Sequence, residues 1–229
     1  MRPNINGIQV PFNKNTNELV EMLDCELPLF QVACEALSAK NDKLSFLTLV
    51  SILEDNDPFK RRIGIECLGN HVMFEKALDC LLSCLDDKSP YVVRTAIEII
   101  VKHRVIKSRE KIISLLKARD EATREMAVAA LEYIANPSDF DLVLNLYSDK
   151  NKKIRNLAPY IVFATASGIN WNKAYNLMKH SDNEKARLIS CKLLYKFGTE
   201  AEKNDVKLFL QDKDGHIRKL ANKIIKELE

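Results

Sequence analysis

The chain has 229 residues, of which 46% are hydrophobic and 29% are charged, with only six glycines and seven prolines. This composition is typical of an ordered, soluble, helix-rich protein and excludes an intrinsically disordered chain. The net charge of +3 hides an asymmetry, because residues 150–229 carry 17 Lys and Arg against 9 Asp and Glu, which makes this end basic. No apolar run is long enough to span a bilayer, and the N-terminus lacks an uninterrupted apolar signal segment. We therefore predict a cytoplasmic protein without a membrane segment.

A repeat begins after the first 16 residues, which are predicted to form an N-terminal extension. From there a small residue recurs at intervals of 31 or 32 residues. The seven positions are Ala33, Gly64, Ala96, Ala127, Ala158, Ser190 and Ala221. Seven repeats with this spacing predict that residues 17–229 form a single repeat domain.

Each repeat is predicted to be a pair of helices joined by a short turn. Seven residues before each small residue stands a candidate helix N-cap. The seven positions hold Glu26, Asp57, Ser89, Asp120, Asn151, Asn183 and Asp214, and all but Glu26 are good N-cap residues. Around each small residue, apolar side chains recur with helical period, and a second apolar-periodic segment precedes each cap. Strand-type alternation and hairpin signals are interpreted as absent, so stacking of helix pairs has to supply the core.

Two charged columns follow the same register. Aspartates stand nine residues before the small residue at Asp24, Asp55, Asp87, Asp149 and Asp212. Arginines stand three residues before it at Arg61, Arg124, Arg155, Arg187 and Arg218. The pattern D-x-[DNS]-x3-R-x2-[AGS]-x3-[LIV] resembles the HEAT repeat, in particular the short HEAT-like units of about 31 residues found in phycobilin lyases. The resemblance implies an all-α fold, a right-handed α-solenoid of about seven helix pairs, whose second helices line a concave groove. It also implies that the arginine and aspartate columns form an internal, structural ladder.

The residues expected to face the groove lie opposite the buried stripe of each second helix. These candidate partner-binding residues are Arg62, Arg94, Glu98, Glu132, Tyr160, Phe163, Leu188, Lys192, Tyr195 and Lys223. Large side chains cluster in repeats five and six, where Tyr160, Phe163 and Tyr195 would form an exposed patch together with Leu188, and such patches are often partner sites. The alternative is that curvature of the solenoid lets these aromatic rings pack on neighbouring helices.

Arg94 follows an Asp and a Pro and so looks like a ladder arginine. The register of Ala96 and Ser89, however, puts Val93 in the ladder position. Arg94 lies one residue later, which turns it about 100° along the helix toward the groove, where Arg62 lies one repeat earlier. We therefore predict that Arg94 pairs with Glu98 and faces a partner.

No metal or cofactor is predicted. The six cysteines mostly fall within predicted helices without a regular spacing, which indicates buried free thiols. Cys80 with Cys84, and Cys67 with His71, each supply only two ligands from one helix face. His71 and His103 share one column and are expected to cover helix C-termini, and Trp171 is expected to be a packing residue.

Three classes of function remain, and we favour a non-catalytic scaffold that binds a protein or peptide in the groove. The alternative is nucleic-acid binding through the basic C-terminal repeats, as in HEAT-like DNA glycosylases, although the acidic N-terminal groove would repel phosphates. A bilin-lyase-like enzyme is the third class, with Glu132 near Tyr160 and Phe163 as its one loose candidate. No Ser/His/Asp arrangement, phosphate loop, HExxH or CxxC motif is present, so catalysis is not predicted.

Overall fold

A computed structural model describes residues 3–228 of the chain. These residues contain fourteen α-helices and one two-stranded hairpin. They form two compact units, one within Met1–Ala127 and the other within Val128–Glu229. The prediction of a single repeat domain stays a prediction.

The first unit holds the hairpin and the N-terminal helices. Its elements are β1 (Asn4–Ile5), β2 (Ile8–Gln9), α1 (Thr16–Glu21), α2 (Leu29–Ser38), α3 (Lys43–Ser51), α4 (Pro58–Leu68), α5 (Leu78–Ser83), α6 (Pro90–Lys102) and α7 (Arg109–Leu115). The boundary between the units falls within α8 (Glu121–Ile134). Odd-numbered helices are the first and even-numbered helices the second members of each pair.

The second unit continues the same alternation. Its elements are α9 (Phe140–Leu146), α10 (Lys152–Thr165), α11 (Trp171–Met178), α12 (Glu184–Phe197), α13 (Glu200–Lys203) and α14 (Gly215–Leu228). Several first helices end in a tighter 3-10 turn, and the first helix of the last repeat is mostly a 3-10 helix over Asn204–Gln211. The seven pairs confirm the predicted class, an all-α solenoid of HEAT-like repeats.

The small residues of the repeat lie at the centre of the core. Ala33, Ala96, Ala158 and Ala221 are completely inaccessible to solvent. At Gly64 a Cβ atom would lie 2.8 Å from Cγ2 of Ile52, at the end of the first helix of the same repeat. The small column therefore lets the two helices of a pair approach closely, as the periodicity predicts.

Most of the predicted caps begin a second helix. Asp57, Asn151, Asn183 and Asp214 each accept a hydrogen bond from the amide two residues later, for example Phe59 N to Asp57 Oδ1 at 2.8 Å. The second helix of the first repeat begins later than the register predicts: at Glu26, the one position without a good N-cap residue, no cap forms, and α2 begins at Leu29 with Pro28 as its N-cap. A glutamate side chain is longer than the short oxygen-bearing groups that favour this position.

The interpretation that hairpin signals are absent is wrong. Strands β1 and β2 pair antiparallel, with Asn4 opposite Gln9. The turn is the dipeptide Asn6-Gly7, whose φ angles of 51° and 84° are the left-handed values that a tight hairpin needs. In the described part of the chain, no helix has the length and apolar character required to traverse a membrane.

Candidate protein-binding surfaces

Two ladder contacts of the predicted kind connect successive repeats, and we call each such arginine–aspartate pair a rung. In the first unit, Arg61 forms a forked contact with Asp87, from Nε to Oδ2 at 2.8 Å and from Nη2 to Oδ1 at 2.7 Å. Burial alone raises the pKa of Asp87, but hydrogen bonds from Arg61 and from the Ser89 amide outweigh it and lower the pKa.

The second unit contains a rung that is more deeply buried. Arg187 donates from Nε and Nη2 to Asp212 at 2.7 and 3.0 Å. The two side chains are only 7% and 6% exposed. The bond from Arg187 lowers the pKa of Asp212, so the carboxylate stays charged although it is removed from water.

All five column arginines make a further contact that the sequence did not predict. Each donates from Nη1 to the carbonyl oxygen six residues earlier, where the first helix of its own repeat ends. The donor–acceptor pairs are Arg61 to Asp55, Arg124 to Ala118, Arg155 to Asp149, Arg187 to Ser181 and Arg218 to Asp212, at 2.8, 2.9, 2.6, 2.8 and 2.5 Å. These arginines satisfy carbonyl groups that a helix end leaves without an intrahelical partner.

Arg94 forms a displaced rung, and the prediction that it pairs with Glu98 is wrong. Its Nη1 lies 2.5 Å from Oδ2 of Asp120, which also accepts hydrogen bonds from the amide and hydroxyl of Thr123. The hydrogen bonds from the Thr123 hydroxyl, from the Thr123 amide and from Arg94, in this order, lower the pKa of Asp120 against the opposing effect of burial. Glu98 lies on α6 and is exposed.

The displacement of this rung has a reason in the sequence. Val93 stands where a column arginine would stand, and Ala118 stands where the next repeat would place its column aspartate. Both ends of a standard rung are therefore missing between the same two repeats. Arg94, one residue along the helix, and Asp120, two residues along the turn, restore the ion pair one step away.

Arg62 occupies the same place in the preceding repeat but has different contacts. Its Nε donates to Oγ1 of Thr95 at 3.2 Å, and its guanidinium lies 5.8 Å from the ring centre of Phe59. No carboxylate within residues 3–228 lies at ion-pair distance from it. Beside it is a cavity of about 240 Å³ lined by Pro58, Phe59, Arg62, Ser89 and Tyr91.

The second unit carries the predicted aromatic patch, which is partly exposed. Tyr160, Phe163 and Leu188 are half-buried, whereas Tyr195 is 42% exposed. The patch thus combines the two structures considered from the sequence. The rings of α10 are half covered, as expected for packing on neighbouring helices, whereas the ring of α12 reaches solvent.

Charged groups hold this patch in place. Nζ of Lys185 lies 5.8 Å from the ring centre of Tyr160, and Nζ of Lys196 lies 5.0 Å from that of Phe163. The hydroxyl of Tyr195 donates to Glu227, whose carboxylate lies 3.6 Å from Nζ of Lys223. The bond to Glu227 raises the pKa of Tyr195.

Two predicted partner-binding residues of the second unit, Glu132 and Lys192, lie outside the aromatic patch and its contacts. Glu132 is exposed near the end of α8, and Lys192 is half-buried on α12. Each unit thus gathers its own subset of the predicted residues, with Arg62, Arg94 and Glu98 in the first and the other seven in the second.

Several groups that could act as nucleophiles are buried and protonated. Burial raises the pKa of Cys34, Cys84 and Cys191 to about 12 in each case. All six cysteines are free, and no set of three or more His, Cys, Asp or Glu residues within the described chain is arranged to hold a metal ion.

The histidines have structural contacts. His103 meets the Gly69 carbonyl at 2.7 Å through Nε2, next to the C-terminus of α4, as expected. His71 is instead buried against Ser45, and burial lowers its pKa. Trp171 is buried beside Tyr175, which confirms its interpretation as a packing residue.

Comparison with known proteins agrees with this geometry, which is that of a helical repeat protein of the HEAT and armadillo class. Residues 16–101 match the family described as HEAT repeats. The search of curated proteins gives no significant match.

Three solved structures illustrate the likeness in fold. A chain of the complex of CpcE and CpcF of phycocyanin lyase from Nostoc sp. PCC7120 is 17% identical, with a TM-score of 0.56 and coverage of 99% of this chain and 91% of that one. An archaeal HEAT-like repeats protein from Thermococcus onnurineus is 15% identical, with a TM-score of 0.60 and coverage of 94% and 97%. A designed armadillo repeat protein in complex with the peptide (KR)4 is 15% identical, with a TM-score of 0.51 and coverage of 94% and 100%. At these identities the likeness concerns the fold alone.

Proposed function

We propose that the chain is a non-catalytic scaffold that binds another protein or a peptide through exposed faces of its second helices. The observation that carries this proposal is the patch of the second unit formed by Tyr160, Phe163, Leu188 and Tyr195. Interface hot spots are enriched in large aromatic side chains that reach solvent before binding. A ring that is already held in one orientation loses little conformational entropy when a partner covers it.

The contacts of Tyr195 support such a role. Its ring is 42% exposed, while its hydroxyl is tied to Glu227. An aromatic ring anchored at its polar end and open along its faces is suited to accept an apolar or cationic group from a partner. Nearby, Lys185 and Lys196 lie against Tyr160 and Phe163. The aromatic patch favours protein over nucleic acid as the partner, because interface hot spots are enriched in such rings.

The contacts of the arginines and the burial of the thiols support a non-catalytic role. Rung arginines are bonded to aspartates and carbonyl oxygens of the same unit, as in Arg187 with Asp212. Buried thiols with a pKa of about 12 are poor nucleophiles at neutral pH. The fold adds support, since a designed armadillo repeat protein of similar fold is in complex with the peptide (KR)4.

Affinity capture from a lysate of the source cells, followed by mass spectrometry, tests the proposal. The immobilised double variant Tyr195→Ala, Phe163→Ala should lose the proteins that the wild type captures, because the anchoring rings are gone. Leu177→Ala is the matched control, since Leu177 is an exposed apolar residue of the same unit on the first helix α11. Equal capture by wild type and double variant would contradict the proposal. Retention of DNA or RNA at about 50 mM salt, lost at higher salt, would favour nucleic-acid binding instead.

A further inference from the structure

The cavity beside Arg62 lies in the first unit and is separate from the aromatic patch of the second. Its walls include Phe59, which is 43% exposed, and Tyr91, which is 62% exposed. The volume of about 240 Å³ is below the range of roughly 300–1,000 Å³ that is usual for small-molecule sites. A cavity of this size between two exposed rings fits one anchoring side chain of a larger partner.

The charge of the cavity comes from a single residue. Among its lining residues Arg62 alone is charged. Its Nε is used by Thr95 and one face of its guanidinium by Phe59, which leaves Nη1 and Nη2 for an end-on, two-pronged contact. A carboxylate matches this fork in geometry and in charge.

The neighbouring repeat provides an internal comparison. Arg94 has the same place in its repeat and also lies over an aromatic ring, with its guanidinium 4.7 Å from the ring centre of Tyr91. Its charge, however, is met by Asp120 of the same unit. The guanidinium of Arg62 has the equivalent position without a carboxylate in the described residues.

The negative net charge of this part of the chain opposes an acidic ligand, but screening by salt makes the opposition weak. Residues 1–149 contain 18 Lys and Arg against 23 Asp and Glu. At physiological salt such charges are screened beyond about 8 Å, so that the charge at the cavity itself decides binding.

We propose that this cavity binds an acidic side chain of a partner polypeptide, with Arg62 holding the carboxylate and Phe59 and Tyr91 covering an apolar residue beside it. The proposal deepens the proposed function, on which it rests, by naming the chemistry of a partner at the first unit. The segment recognised is a short exposed stretch in which Glu or Asp adjoins an aliphatic residue.

Titration of the isotope-labelled full chain with two blocked pentapeptides, acetyl-Ala-Leu-Glu-Leu-Ala-amide and its glutamine counterpart, tests the proposal by NMR. We expect the glutamate peptide to shift the Nε–Hε signal of Arg62 and the ring signals of Phe59 and Tyr91 in a saturable way. The glutamine peptide, which lacks the negative charge and the second acceptor oxygen of a carboxylate, should bind about tenfold more weakly. Equal binding of the two peptides, or no shift with either, would overturn the proposal.

Variants locate the contact. Arg62→Gln should weaken the glutamate peptide about tenfold, whereas Lys107→Ala, which removes an exposed cation of the same unit, should leave it unchanged. Unchanged binding by Arg62→Gln overturns the proposal, and the comparison of the two peptides on the wild type decides it even if that variant folds poorly. Larger shifts with inorganic phosphate than with the glutamate peptide would also overturn it, as would shifts that depend on protein concentration alone. None of these readouts involves the patch around Tyr195, so failure here is distinct from failure of the proposed function.

Discussion

Arg62 and Arg94 occupy the same place in adjacent repeats, and each guanidinium lies over an aromatic ring three residues earlier. Arg94 pairs with Asp120 and thereby joins two repeats. Arg62 instead meets a threonine hydroxyl and borders an open cavity. The column of the repeat therefore sets the direction of a side chain, while the residue across the turn decides whether its charge is paired within the unit.

The largest expected effect concerns the buried rung, which provides the reference for an internal arginine. Arg187→Ala should lower the free energy of unfolding by about 3 kcal/mol, because it leaves the carboxylate of Asp212 buried without its partner. Urea unfolding followed by circular dichroism measures this loss. The control is Arg218→Ala, since Arg218 is an exposed column arginine whose side chain donates to the Asp212 carbonyl and, within residues 3–228, to no carboxylate, and it should cost less than about 1 kcal/mol. Equal losses of unfolding free energy in both variants would mean that the ion pair of the rung contributes nothing to stability.

A double-mutant cycle sharpens the assignment of Arg94. Arg94→Gln combined with Asp120→Asn should reveal a coupling of about 1 kcal/mol, because the pair is only partly exposed. The matched cycle of Arg94→Gln with Glu98→Gln should give a coupling close to zero. A larger coupling to Glu98 than to Asp120 would restore the interpretation made from sequence and break the contrast with Arg62.

The smallest expected effect is the pH dependence of stability that comes from His71. Like Arg94, this buried histidine has its partners within its own unit. Nδ1 of His71 accepts from the Met73 amide at 3.1 Å, so protonation of that nitrogen breaks the contact. Burial lowers the pKa of His71, against the weaker attraction of Asp42, so below pH about 6.5 the unfolded chain binds more protons than the folded chain. The stability contributed by neutral His71 is therefore fully present above that pH and is lost as the pH falls further.

Unfolding measured at pH 7 and pH 5.5 checks this sign. The wild type should be less stable at pH 5.5, and His71→Gln should lose less stability between the two values. His180→Gln, at an exposed histidine, should behave like the wild type. A wild type that is equally stable at both values would contradict the assignment of His71 as a buried neutral group.

The repeat and its core could be predicted from sequence because burial acts at every repeat in the same way. A small residue is required wherever two helices approach closely, and Gly64 against Ile52 illustrates the requirement. The caps at Asp57 and Asn183 follow from the same register, since a second helix has to begin at one place in each repeat.

The roles of individual surface residues could not be predicted in the same way. The pairing of Arg94 depends on Asp120, which lies 26 residues away along the chain. The spacing of four residues along one helix instead predicts a pair with Glu98. The two substitutions that displace the rung, Val93 and Ala118, are visible in the sequence. They become meaningful only when the columns of successive repeats are compared across the turn.

The contrast between the two arginines is tested most directly by the affinity of the glutamate pentapeptide for Arg62→Gln and Arg94→Gln, measured side by side at equal folded fraction. We expect about tenfold weaker binding to Arg62→Gln and binding close to that of the wild type for Arg94→Gln, because the charge of Arg94 is paired with Asp120. Loss of binding in Arg94→Gln with retention in Arg62→Gln would contradict this expectation.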